Sequence, residues 1–197
     1  PSPSAGVCSA FTRLGVATAN SQAGSYATGR TTTFNAGVIR YRGETYNVNY
    51  MTNLGGRSDH KLEFDVAATH TGLLESSVTG AVFVRSDNTA SSPITSTAQP
   101  DWVGRFDIRY QNGPFHVSYE AYYLSPVIAV PDATIENNPN PNIGANLTHS
   151  ISFQIDMDKF SFRFGVNNLT DKQPSYPTLQ YGDIIGRQFF AGVRARY

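Results

Sequence analysis

From about Val38 onward the chain alternates apolar and polar residues with a period of two. That period marks strands with one face in an apolar phase and the other in a polar one. The first run, Val38 to about Leu54, sets Tyr46, Val48, Tyr50 and Leu54 against Thr45, Asn47, Asn49 and Asn53. Ahead of Gly43 the apolar parity belongs to Ile39 and Tyr41 instead, which predicts a bulge at that glycine. A second run carries Leu62, Phe64, Val66 and Ala68 against Lys61, Glu63, Asp65 and Thr69, and continues towards Leu74. The third sets Trp102, Phe106, Ile108 and Tyr110 against Val103, Arg105, Asp107 and Arg109. The fourth sets Phe115, Val117, Tyr119, Ala121 and Tyr123 against His116, Ser118, Glu120 and Tyr122. The fifth sets Leu147, Ile151, Phe153, Ile155 and Met157 against Thr148, Ser150, Ser152, Gln154 and Asp156. The sixth sets Phe160, Phe162, Phe164 and Val166 against Ser161, Arg163, Gly165 and Asn167. In the last run Phe189, Ala191, Val193, Ala195 and Tyr197 oppose Gln188, Gly192, Arg194 and Arg196, and Phe190 breaks the rule.

The connections between these strands alternate in length. Gly55–Asp59, Gln111–Pro114 and Asp158–Lys159 are short, and Asn112-Gly113 is a strong hairpin signal. Residues 76–100, 126–144 and 168–187 are long, and Pro139 and Pro141 deny the second a regular ladder. Residues 1–37 lack sustained periodicity and read as a long loop with extended pieces around Thr31–Phe34. A β-sandwich also alternates hydrophobicity but rarely alternates its loop lengths. Outer-membrane barrels do both, with short turns at one end and long loops at the other. The pattern therefore predicts an all-β, antiparallel transmembrane β-barrel segment of about seven strands, on residues 38–197.

Composition agrees. A net charge of zero argues against a nucleic-acid partner, which calls for a basic stripe. Charged residues are 15% of the chain, low for a soluble domain. No apolar run approaches the ~20 residues of a membrane helix. The 12 Phe and 11 Tyr suit girdles at the two membrane interfaces. Without a signal peptide or an initiator Met, the chain reads as a processed product or a fragment of something longer. The single Cys8 suggests a partner beyond these residues, or a free thiol.

Two segments add a resemblance. Phe162-Arg163-Phe164-Gly165-Val166-Asn167-Asn168-Leu169-Thr170-Asp171-Lys172-Gln173-Pro174 resembles the penultimate-strand motif of TonB-dependent outer-membrane receptors. Gly186 to Tyr197 resembles their closing strand, which the barrel-assembly machinery reads through Phe189, Ala191, Val193, Ala195 and Tyr197. Phe34 to Glu44 is similar to a mid-barrel motif of the same family. Thr170 stands where Phe is usual and Tyr197 where Phe is commonest, with the parity kept. The resemblance implies a barrel of roughly 22 strands around a plug. It implies a protein in the outer membrane of a Gram-negative bacterium that imports a siderophore, cobalamin, carbohydrate or similar scarce nutrient. Residues 1–37 are then an extracellular loop region, and Cys8 resembles the second member of a loop disulfide whose partner lies upstream. The implied partners are outer-membrane lipid, the barrel-assembly machinery, the rest of the barrel and plug, and TonB through the TonB box of that plug.

No catalytic constellation or cofactor motif appears, and the chain reads as a non-enzyme. His60, His70, His116 and His149 lack metal-ligand spacing and read as solvated or lumen-facing. Arg105, Asp107, Arg109, Glu120, Arg163, Arg194 and Arg196 form the lumen-facing set, expected to pair with one another or with the plug. Tyr176 and Tyr181, on the last long loop, are the candidate ligand contacts. The competing readings are a passive porin-type barrel and a soluble β-sandwich binding module.

Overall fold

The computed structural model describes residues 11–13, 26–29, 37–78, 83–91, 97–176 and 181–195. The extended pieces expected at Thr31–Phe34, Cys8, Arg196 and Tyr197 lie outside them. The chain divides into two units, Pro1–Ala36 and Gly37–Tyr197. In the first, β1 (Phe11–Arg13) and β2 (Tyr26–Gly29) form a short antiparallel ladder.

In the second unit β3 (Gly37–Asn53) passes through one 3-10 turn at Leu54–Gly56 into β4 (His60–Val78). Then come β5 (Val84–Arg85), β6 (Trp102–Asn112), β7 (Phe115–Leu124), β8 (Val127–Ile128) and β9 (Asn142–Ile143). The series closes with β10 (Asn146–Asp156), β11 (Phe160–Asn167) and β12 (Gln188–Ala195). The fold is all-β, with no α-helix among the described residues.

Seven long strands form one antiparallel meander in the order β3-β4-β6-β7-β10-β11-β12, and β5 pairs with β4 beside it. The sheet is open. Its edges, β3 and β12, run in the same direction, as the first and last of an odd antiparallel series must. All three long connections leave from one end of the sheet and all three short ones from the other.

Directly paired residues share a face. One row across the sheet reads Tyr50, Phe64, Ile108, Tyr119, Ile151, Val166, Phe189. The adjacent row reads Met51, Glu63, Arg109, Ser118, Ser152, Gly165, Phe190. The sheet therefore has one apolar and one polar face across its whole width. The apolar face is uncovered: Val48 is 62% exposed, Val193 65% and Phe189 76%.

The bulge lies where the parity break put it. Arg42 pairs with Leu73 and Gly43 with Thr71, so Gly72 of β4 has no partner opposite. One extra residue reverses which side chains share a face with the rows below. Phe190 also finds its reason. A Cβ on Gly165 would lie 2.6 Å from Cζ of Phe190, so the ring occupies the space this glycine leaves empty. Aromatic cover of a bare strand glycine outweighs the parity of a single position.

The long connections hold more order than expected. β5 extends the β4 ladder through Glu75–Arg85 and Ser76–Val84. Val127 and Ile128 pair with Ile143 and Asn142, immediately beyond Pro139 and Pro141. The prolines do deny their own positions a ladder, but two rungs need no more room than the residues beside them. Runs this short carry no periodicity to read. Ala90, Val127, Ile143 and Tyr181 form a buried apolar cluster, and all four belong to the long connections. Backbone bonds join the first two connections, Ala90 N–H donating to the Ile128 carbonyl at 2.7 Å and Ile128 N–H to the Asn88 carbonyl at 2.9 Å.

Candidate functional site

The polar face is built from ladder positions whose neighbours the register dictates. Asp107 and Glu120 are directly opposed on β6 and β7, so like charges meet unless a cation intervenes. Arg105 supplies it, with Nε 2.9 Å from Asp107 and Nη2 2.8 Å from Glu120. Arg109 reaches Glu63 across β6 and β4 at 3.1 Å. Asn49 donates to both Glu63 and Asp65 at 3.2 Å. His116 lies 3.2 Å from Asp156, which also accepts from Gln154 and Ser161. Half-exposed pairs of this kind contribute about 0–1 kcal/mol each. Their effect is to orient the guanidinium groups over the face.

Arg163 behaves differently. Its guanidinium carbon sits 5.4 Å from the centre of the Phe190 ring. Arg163 borders two recesses, an open trough of about 230 Å³ shared with Arg105 and Arg109, and one of about 260 Å³ shared with Arg194. The structure thus divides the charged set. Arg105, Asp107, Arg109 and Glu120 are joined in ion pairs. Among the described residues, Arg163 and Arg194 have no carboxylate partner.

At the other end of the strands, the loops are tied down by buried asparagines. Asn146, 2% exposed at the start of β10, donates from Nδ2 to the carbonyls of Gln173 (3.1 Å) and Tyr181 (3.3 Å). Asn168 takes a left-handed conformation, φ 51°, and its side chain brackets the following turn. Its Nδ2 donates to the Lys172 carbonyl at 2.9 Å, and its Oδ1 accepts from the Lys172 N–H at 2.8 Å. Asp171 Oδ1 accepts the N–H of Arg187 at 2.9 Å and closes the base of the loop. Asn146 and Asn168, both 2% exposed, are therefore enclosed amides engaged in packing.

The two candidate ligand tyrosines separate. Tyr176 is 73% exposed, whereas Tyr181 is 1% exposed, and its hydroxyl donates to the Ser125 carbonyl. Burial pushes the Tyr181 phenol well above its usual range. Tyr181 is enclosed by the loops, so only Tyr176 is open to a solute.

Asp87 anchors the first long connection. Burial alone would push its carboxyl up, but Arg85 at 2.7 Å and the Leu74 N–H more than offset this and hold it below its usual 3.8. A depressed carboxyl contributes stability above its unfolded pKa and loses it as pH falls through the lower folded value. Asp101 is raised by burial and then by the Asp87 charge, so its ionised form costs stability at neutral pH. Acid titration is expected to relieve Asp101 first, as pH falls through its raised value, and then to weaken the loop as Asp87 protonates below its usual 3.8. Asp87→Asn should remove the acid-side loss, read by amide exchange in residues 83–91 from pH 6 to pH 3. An unchanged pH dependence in that variant would refute this assignment.

The histidine expectation needs correction. His60, His70 and His149 share the apolar parity and lean on aromatic rings, because each pairs across the sheet with apolar-face positions. His60 bonds the Tyr110 hydroxyl at 2.8 Å, His149 that of Tyr119 at 2.7 Å, and His70 stacks on Trp102. Only His116 is on the polar face. Among the described residues no three His, Cys, Asp or Glu side chains come together to hold a metal.

Glu63, Asn146 and Asn168 were given no site role from sequence. Glu63 was legible as a carboxylate of polar parity, but its place directly opposite Arg109 follows only from the register. The asparagines left a fainter sign: Asn146 opens β10, and Asn168 follows the last residue of β11. Comparison with known protein families finds none that matches this chain, and no curated protein matches it either.

Proposed function

We propose that this chain is the C-terminal barrel portion of a TonB-dependent outer-membrane receptor, active in the uptake of a scarce nutrient such as a siderophore, cobalamin or carbohydrate. The observation that carries the reading is the uncovered apolar face across all seven long strands, with long connections at one end and short ones at the other. Apolar area left in water costs roughly 25 cal/mol per Å². An exposed face of this breadth calls for an apolar medium, and the opposite face carries ion pairs suited to a wet interior. No helix among the described residues is long and apolar enough to cross a membrane, and strands are the remaining means of spanning one.

The open edges specify what completes the barrel. Since β3 and β12 run the same way, antiparallel closure needs an odd number of further strands. A second copy in the same orientation brings seven and makes both junctions parallel, so the missing strands come from other residues of the same product or from a different chain. The loop layer, with Tyr176 exposed on it, faces the medium and meets the ligand. The polar face meets the plug, through which TonB acts.

The test uses the complete gene product. It is expected in the outer-membrane fraction, with a mobility in detergent gels that changes on boiling, and with nutrient uptake that stops when TonB is deleted. Recovery as a soluble monomer without detergent would overturn the membrane reading. Uptake that continues without TonB would leave a passive pore.

A further inference from the structure

Gly192 sits midway along β12, at a position of polar parity. A glycine inside a strand often marks a bulge, or a place where a ligand or another backbone comes close. The β11–β12 register runs without a shift from Phe160–Ala195 to Asn167–Gln188, which excludes a bulge. A Cβ added at Gly192 meets nothing within 4 Å, whereas one at Gly165 meets Phe190 and the Ile151 carbonyl. Close packing among the described residues therefore explains the glycine at 165 and not the one at 192. What Gly192 leaves is space. It lines an open recess of about 260 Å³ together with Gln154, Ser161, Arg163, Val193 and Arg194.

Two exposed cations border this space. Arg163 is directly opposite Gly192, and Arg194 is opposite Ser161, one polar position further along. The two arginines are thus diagonal neighbours across the ladder, close enough for long side chains to interact. Among the described residues neither has a carboxylate partner, and no acid lines the recess. Asp156, opposite Ser161, is engaged by Gln154, Ser161 and His116. The arrangement inverts that of Asp107 and Glu120, where two like charges meet with Arg105 between them. Here two like charges meet with no counter-charge between. The Phe190 ring, 5.4 Å from the Arg163 guanidinium carbon, steadies that cation beside the recess.

We propose that Arg163 and Arg194 form a binding site for the oxyanion of a small solute, a carboxylate or a phosphate, with Gly192 as its floor. Guanidinium groups bind both oxyanions through paired N–H donors. An anion between the two arginines offsets their mutual repulsion, and it needs the room that a side chain at 192 would fill. Arg163 also borders the trough of about 230 Å³ that Arg105 and Arg109 line, so an anion leaving the recess meets further guanidinium groups on the same face. The recess is at the short-connection end of the sheet, whereas Tyr176 belongs to the long connections at the other end. It is therefore a second site, apart from the loop contact. It rests on the uptake reading only in that the polar face meets water.

Modification of arginines by phenylglyoxal, located by mass spectrometry on the complete protein in detergent, reads the site directly. Arg57, paired with Asp59 on the first short turn, is the reference. Inorganic phosphate or succinate at about ten times its dissociation constant is expected to slow modification of Arg163 and Arg194 about tenfold, with saturation, and to leave Arg57 nearly unchanged. Protection by phosphate alone assigns a phosphoryl group to the solute and protection by succinate alone a carboxylate, and either supports the site. Gly192→Val should abolish the protection while both arginines stay reactive, because the added Cβ enters open space. Arg163→Gln should strip most of the protection from Arg194. No slowing by either anion, or equal and unsaturable slowing at Arg57, would overturn the site. Arginines that are unreactive before any anion is added would overturn the solute as occupant in favour of a covering protein segment. Protection that survives Gly192→Val and Arg163→Gln would overturn the assigned residues. TonB dependence enters none of these readings, so the site and the uptake function fail separately.

Discussion

Replacing Gly165 with valine is expected to release β12 from the sheet. A Cβ at this position would lie 2.5 Å from the Ile151 carbonyl oxygen and 2.6 Å from Phe190 Cζ. The ring can swing away, but the carbonyl belongs to the β10–β11 ladder and can move only by breaking it. Overpacking usually costs about 1–3 kcal/mol, and here the rigid neighbour should place the cost at the top of that range or above. Alanine should be milder. Phe190→Ala should recover part of the loss, since it clears the ring and leaves the carbonyl. Denaturant unfolding of the purified protein measures the series, with amide exchange across residues 188–195 to locate the damage. A valine variant as stable as the parent would show that the sheet yields here with little cost.

Removing the Tyr181 ring is expected to loosen the loops without opening the sheet. The side chain is 1% exposed and packs with Ala90, Val127 and Ile143, residues of two other connections. Truncating an enclosed aromatic costs about 3–5 kcal/mol. Tyr181→Ala should therefore raise amide exchange across residues 86–91, 125–145 and 168–176, while β10 and β11 keep their protection. Tyr181→Phe keeps the ring and leaves the Ser125 carbonyl unsatisfied, a loss of about 1–3 kcal/mol. Exchange in the loops that stays at the parent level in both variants would refute this role. On the proposed uptake function, transport should fall with loop order in Tyr181→Ala, because the ring is enclosed among the loops.

The strands were legible because a period of two needs only composition at alternate positions. All seven long strands stand within a few residues of their expected limits, and the Gly43 parity break located the bulge. The extra residue itself, Gly72, belongs to the partner strand, which only the register discloses. The ion pairs were half legible. Parity put Arg105, Asp107, Arg109 and Glu120 on one face, but pairing Arg109 with Glu63 required knowing which residues stand opposite. The loops were least legible. Asn146, Asn168 and Tyr181 are buried by contacts over separations of up to 56 residues, and a hydrogen bond between distant segments leaves no local period. Tyr181 was read as a candidate ligand contact for that reason.

By itself the sequence determined that the chain is all-β and has two chemically opposite faces, with its short and long connections in strict alternation. These follow from local chemistry: side-chain alternation, glycine and proline at turns, and the absence of any long apolar run. Only the tertiary structure decided the register, and with it which charges meet, which histidines stand among apolar residues, and why a phenylalanine sits at a polar position. It also showed the sheet to be open, with edges that run in the same direction. Those properties depend on what lies 5 Å away across a ladder, and the order of residues along one strand does not contain that distance.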